Sequence, residues 1–229
     1  MLRKVSGLGS TLVILTSVVG VSSLLSGITQ AGARSDARNF LDGLISEEEF
    51  IEAYSAASGA GAVASLGQVA VAVLTFILMF KMARNLRDMG RDTRWGPPWA
   101  IAGWVLPPGV LYLIPWLMFR ELWKASDPDL NETSDWRTAA APVPMSMNLW
   151  WVFFGLAPIP LATLLGVSVV NAGLMPTQTR AIATILAEQY WVTLASSVTT
   201  ASAAVAYVIM IRALTHRHSR FTGELTSAR

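Results

Sequence analysis

Five stretches of this chain, Leu8 to Ile28, Ala60 to Phe80, Trp99 to Phe119, Leu149 to Val170 and Tyr190 to Ile211, contain no Asp, Glu, Lys, Arg or His. Each approaches the roughly 20 apolar residues that a helix needs to cross a hydrocarbon core about 30 Å thick. Within such a core every backbone amide must find its partner inside the protein, which leaves helices or closed barrels. The stretches lack the alternating apolar and polar pattern of barrel strands. The sequence therefore predicts an all-α, polytopic membrane helix bundle, one integral membrane domain over residues 1–229. Composition agrees, with 14% charged residues against about a quarter in a soluble domain. The absence of cysteine excludes disulfides, thiolate metal sites and thiol catalysis.

The third stretch differs from the rest. Pro107-Pro108-Gly109 sits at its middle and Pro115 follows. Proline removes an amide donor and clashes with the preceding turn, so a continuous helix is not expected here. Two short helices are, Trp99 to Leu106 and Val110 to Phe119, each about 12–15 Å long and able to form a hairpin that enters and returns.

Charge distribution tests that reading, because cytoplasmic loops are enriched in Lys and Arg. If residues 99–119 re-enter, 14 basic residues fall inside and 3 outside. If they cross, the division is 8 inside and 9 outside, against the rule. The expectation is thus four transmembrane helices (8–28, 60–80, 149–170, 190–211) and a re-entrant or interfacial hairpin over 99–119. An outer loop at 29–59, a cytoplasmic tail at 212–229, both termini cytoplasmic and residence in the cell membrane complete the prediction. The inner side then carries a net charge of +6 and the outer −4, which suits an anionic cytoplasmic leaflet. Arg3-Lys4, the first apolar run and Ala31-Gly32-Ala33 together mimic a secretory signal. The run is longer than the usual 7–15 residues of a signal core, so a retained helix is expected. Cleavage would leave every later orientation unchanged.

Few residues offer chemistry. Ser46-Glu47-Glu48-Glu49 is a capping box that should start a short helix in the outer loop, with Phe50, Ile51 and Tyr54 at helical spacing. His216 and His218, one residue apart with Arg217 between them, make a poor metal site and read as a juxtamembrane anchor. Gly20, Ser23 and Gly27, then Gly61, Ser65, Gln68 and Ala72, then Thr193, Ser196, Ser197, Thr200, Ala204 and Tyr207 form small or polar seams suited to close helix packing. No cofactor or metal is expected.

The densest signal runs from Lys81 to Ser126, where Trp95, Trp99, Trp104, Trp116 and Trp123 gather among prolines and basic residues, as at a membrane interface. Arg84-Asn85-Leu86, Trp95-Gly-Pro-Pro-Trp99-Ala100, Trp104, Pro108, Pro115 and Arg120-Glu121-Leu122-Trp123-Lys124-Ala125-Ser126, with Trp150-Trp151 beyond, resemble the membrane-protein family catalogued as domain of unknown function 4328, common in actinobacteria. The resemblance spans residues 60 to 215, with a core of about 45 residues. It implies a membrane location and a shared architecture, but no assigned activity. Where family members often carry polar residues around these prolines, this chain has Leu111, Ile114 and Leu117.

The leading expectation is a non-enzymatic scaffold or accessory subunit that binds other membrane proteins or lipid. Its candidate interaction residues are Arg84, Asn85, Arg87, Trp95, Trp99, Trp104, Pro108, Pro115, Arg120, Glu121 and Trp123. The alternative is a transporter or channel-like protein for a neutral or lipidic substrate, with the broken segment lining the path. A third is a membrane enzyme using Arg84, Arg120 and Glu121 on phospholipid headgroups. The expected partners are the lipid bilayer and other membrane-protein subunits, with no nucleic acid; the sequence does not specify an oligomeric state.

Overall fold

A computed structural model of the chain describes residues 2–105, 112–130, 135–139, 141–164 and 177–224. Among these there is no strand. The helices are α1 (Ser6–Gly32), α2 (Arg34–Leu41), α3 (Glu47–Asp88), α4 (Trp99–Val105), α5 (Leu113–Ala125), α6 (Trp136–Ala139), α7 (Met145–Trp151) and α8 (Gln178–Phe221). Beyond α7 the helix continues through a π-helical turn (Val152–Leu156). Four helical stretches are long and apolar enough to cross a membrane: Ser6–Leu41, Glu47–Asp88, Met145–Leu164 and Gln178–Phe221. They contain the expected spans 8–28, 60–80 and 190–211 and residues 149–164 of the third, whose residues 165–170 lie outside the described residues; residues 99–119 are not among them.

α1 is the axis of the bundle, antiparallel to both α3 and α8. Small residues permit this. A Cβ built on Gly9, Gly20 or Gly27 would stand 2.6, 2.9 or 2.5 Å from Thr215, Ala204 or Ser197 of α8. On the side facing α3, Gly61 and Gly67 leave only 2.8 and 2.5 Å to Ser26 and Val19. Between membrane helices, where lipid competes with any apolar contact, such close backbone approach supplies the packing energy. Further along, the Thr75 and Tyr207 hydroxyls hydrogen-bond to each other between α3 and α8. The opposite faces show Ile14, Val18, Val21 and Leu25 on α1, and Leu66, Val69, Val73 and Ile77 on α3. An apolar exterior around a small-residue interior is the arrangement of a membrane-embedded protein.

The α3 seam departs from expectation. Gly61 packs inward, but Ser65 and Gln68 are exposed, and the packed line runs instead through Ala64, Gly67, Thr75 and Leu78. The expected outer loop is also largely helical. Its capping box forms, with Ser46 Oγ accepting from Glu49 N–H at 3.2 Å and the Glu49 carboxylate from Ser46 N–H at 2.7 Å. The helix it starts does not stop, however, but becomes α3 and continues into the second span. Phe50, stacked on Phe40 and Tyr54, buries this end against Ala37, Leu186 and Ala187.

α4 and α5 pack against each other. Gly103 of α4 faces α5, where an added Cβ would meet Ile114 at 2.6 Å and Pro115 at 3.8 Å. At the other end the Glu121 carboxylate accepts from the N–H groups of Arg94 at 2.6 Å and Trp95 at 3.0 Å. The chain therefore returns to where it set out. Residues 106–111, with Pro107 and Pro108, lie outside the described residues. Tyr112, where α5 begins, has φ +52°, a left-handed conformation costing about 1 kcal/mol or more for a non-glycine residue. Ring contacts hold it, 5.0 Å to Phe154 and 6.0 Å to Trp104.

The long helices carry two irregularities. The π turn precedes Pro158 and Pro160, whose rings would press on the carbonyls of Phe154 and Leu156 in a regular helix. α8 kinks at Gln189, with φ −121° and ψ 23°, where the uncharged stretch begins.

Candidate functional site

The residues singled out from sequence fall into three groups at or near one end of the bundle. This basic end gathers the start of α1, the end of α3, the hairpin mouth and the end of α8.

Asn85 belongs to a buried polar knot. Its Oδ1 accepts from Arg3 N–H at 2.9 Å and its Nδ2 donates to the Arg3 carbonyl at 2.8 Å. The same Nδ2 lies 3.3 Å from His218 Nε2. An amide nitrogen only donates, so Nε2 must accept and Nδ1 carries the proton, which it donates to Ser126 Oγ at 2.8 Å. This pattern makes His218 a neutral imidazole. Asn85, Ser126 and His218 all have 0% exposure. Beside them Arg217 pairs with Asp127 and donates through Nε to the Trp123 carbonyl at 3.1 Å. Arg91 donates to the carbonyls of Ala125, Asp127 and Leu130 at 2.8, 2.8 and 2.9 Å. Burial lowers its pKa, with Asp127 offsetting part of the effect. Arg84 and Arg87 stay half-exposed and pair with Asp88 and Asp92, each at 3.6 Å, pairs that contribute at most about 1 kcal/mol.

His218 is thus not the juxtamembrane anchor expected of it. The tail was read as starting at Arg212, but the helix continues to Phe221. Met210, Ile211, Leu214, Thr215, His218 and Ser219 are all buried on its inner face. That 3.6-residue periodicity was the available signal; Ser126, Asp127 and Arg91 had no comparable one, since only the fold brings them there.

Glu224 closes the knot from the far end of the sequence. It accepts from Val5 N–H at 3.1 Å, Ser6 N–H at 3.2 Å and the Ser6 and Ser219 hydroxyls. Burial alone would raise its pKa, but these hydrogen bonds outweigh that and hold the carboxyl below its ordinary value of 4.5. Because the folded value is depressed, the stabilisation is present above pH 4.5 and is lost as pH falls through the folded value. A nitroxide on a cysteine at Leu2 should therefore be immobile at pH 7 and become mobile in acid. With Glu224→Gln it should be mobile throughout; immobility of that variant at pH 7 would refute the role.

The second group is an aromatic layer. Trp104 lies 5.4 Å from Phe76, 6.1 Å from Trp150 and 5.9 Å from Phe154. Trp150 in turn meets Phe119 at 5.3 Å and Tyr207 at 6.0 Å. Trp99 stands edge-on to Trp95 at 5.1 Å, and Pro115 is buried beneath Gly103. Such pairs contribute about 0.5–1.5 kcal/mol each beyond their area, and together they fix the hairpin to α3, α7 and α8. Trp123 donates to the Pro142 carbonyl at 3.1 Å. Pro108 lies outside the described residues.

Trp95, Arg120 and Glu121 form the third group, lining an open cavity of about 310 Å³ with Leu117, Lys124, Trp136 and Arg137. Lys124, Trp136 and Arg137 were not among the residues expected from sequence. They come from the end of α5 and from α6, whose return to the hairpin mouth has no periodic signature. Among the described residues there is no cluster of three or more His, Cys, Asp or Glu placed to hold a metal.

The chain matches the family described as Domain of unknown function (DUF4328) over residues 42–216. It belongs to that family. No curated protein and no solved structure matches it. The match begins earlier than the resemblance read from the motifs and includes the α3 capping box. All of α1 lies outside the matched DUF4328 region, as do Arg3, Arg217, His218 and Glu224. The polar knot is therefore where this chain's flanking segments tie onto Asn85 and Ser126 of the DUF4328 region.

Proposed function

We propose that this is a non-enzymatic subunit of a membrane assembly, docking to another membrane-spanning helix through α3. Gln68 carries the reading. It sits at the middle of the uncharged stretch Ala60 to Phe80, is exposed, and has no hydrogen-bond partner among the described residues. A carboxamide facing hydrocarbon is costly, and membrane helices relieve that cost by hydrogen bonding across an interface of small residues. Ser65 and Ala72 flank Gln68 on the same face, away from the apolar line through Leu66, Val69 and Val73. The Ser126–His218 pair, the nearest approach to a nucleophile and base, is sealed from solvent and engaged by Asn85, which supports a role without catalysis.

The orientation proposed is the one the charges favour: a cell-membrane protein with both termini and the hairpin mouth cytoplasmic, the hairpin dipping into the inner leaflet. Its closed mouth at Glu121 supports re-entry. In mild detergent the wild type should co-purify with a stoichiometric partner, a second copy or another membrane protein, and Gln68→Leu should lose it while remaining folded. Wild-type protein emerging alone and monodisperse would overturn the proposal. Orientation is tested separately with single cysteines at the exposed Asp129, Thr177 and Arg220. An impermeant thiol reagent on intact cells should label only Thr177→Cys.

A further inference from the structure

The cavity at the hairpin mouth has a charge distribution that none of its residues reveals alone. Arg120, Lys124 and Arg137 line it, and none has a carboxylate partner among the described residues. Glu121, the one acidic residue among its described lining, is engaged by the N–H groups of Arg94 and Trp95. The cations are also positioned. The Arg120 guanidinium lies 4.4 Å over the Trp116 ring and that of Arg137 4.6 Å over Trp136. Lys124 Nζ donates to the Arg137 carbonyl at 3.2 Å. Arg137 Nη2 donates to the Asp92 carbonyl at 3.1 Å; the Arg120 guanidinium, stacked by its face, keeps its N–H edges available, and their fork matches two oxygens of one tetrahedral anion. Trp95 and Trp136 wall the cavity, with Leu117 at its apolar edge.

We infer that this cavity is a phosphate-binding site, and that its ligand is the headgroup phosphate of an anionic phospholipid. Among the described residues three cations stand against one carboxylate, which leaves the site net positive. Its tryptophan walls and the apolar Leu117 edge suit a group that arrives attached to glycerol and an acyl chain. A headgroup phosphodiester presents two anionic oxygens in tetrahedral geometry and two ester oxygens besides, so donors from three side chains can share it from different directions. The inference rests on the orientation proposed above, which places the hairpin mouth at the cytoplasmic leaflet.

The test uses the full chain in detergent, delipidated and then exposed to phosphatidylglycerol or phosphatidylcholine, with bound lipid read by native mass spectrometry. The wild type should retain phosphatidylglycerol preferentially. The double variant Arg120→Gln/Lys124→Gln should lose that preference by about thirtyfold, as expected for two cations at about 1 kcal/mol each. The charge-retaining Arg120→Lys/Lys124→Arg should keep most of it, and Arg212→Gln, outside the cavity, should not change it. Inorganic phosphate, offered in place of lipid and read the same way, being retained without any lipid preference would keep the phosphate site but assign a soluble source. A double variant that folds and retains full lipid preference, or wild type showing neither lipid preference nor bound phosphate, overturns the inference. Failure of the orientation reading would appear separately, as labelling of Asp129→Cys on intact cells.

Discussion

Asp127→Ala should destabilise the protein by about 3–5 kcal/mol, the cost of leaving a buried charge without its counter-ion. Arg217 has a side chain only 14% exposed, and its carboxylate partner is 6% exposed, so solvent cannot replace what is removed. The carboxylate also accepts from Ala141 N–H and Asp129 N–H, each at 3.2 Å, and fixes the turn after α5. Reversible unfolding in detergent and denaturant mixtures, followed by tryptophan fluorescence, would show the loss. Arg217→Met combined with Asp127→Leu should recover much of it, since an apolar pair of similar volume needs no desolvation of charge. A near-neutral Asp127→Ala would mean that water reaches Arg217.

Gly27→Ala should cost about 1–3 kcal/mol, the range for overpacking a close contact. The new methyl would stand 2.5 Å from Ser197 Cβ, so α1 must move away from α8 along the most closely packed line of the bundle. Gly7→Ala, in the same helix with nothing within 4 Å of the added methyl, should instead stabilise by roughly 0.5–1 kcal/mol through helix propensity. Ser197→Gly in the Gly27→Ala background should restore most of the loss. Equal effects at positions 7 and 27 would show that helix propensity, not packing, sets the stability of α1.

The polar knot and the glycine line act at different points on the same pair of helices. Gly20 and Gly27 bring α1 against α8 within the apolar region, while Glu224 and Asn85 grip residues 3–6 at the basic end. Because α1 lies outside the DUF4328 region, these contacts join that region to the helix that fills its centre.

Much of the architecture was legible in the sequence because lipid imposes one-dimensional rules. An uncharged run of about 20 residues is a local fact, and such runs identified the four long apolar helices. The Ser46 capping box was legible for the same reason. Seam residues were legible by type but not by direction: Gly20 and Gly27 face α8, whereas Ser65 and Gln68, of the same character, face outward. What only the tertiary structure decided is which polar groups meet. Arg3, Asn85, Ser126 and His218 are far apart in the chain, and burial makes each depend on the others' hydrogen bonds. Arg120 and Arg137 of the open cavity likewise differ from the other arginines of the basic end only in what stands beside them. Crossing a membrane is a property of single segments and can be read in sequence, whereas pairing buried polar groups is a property of the fold.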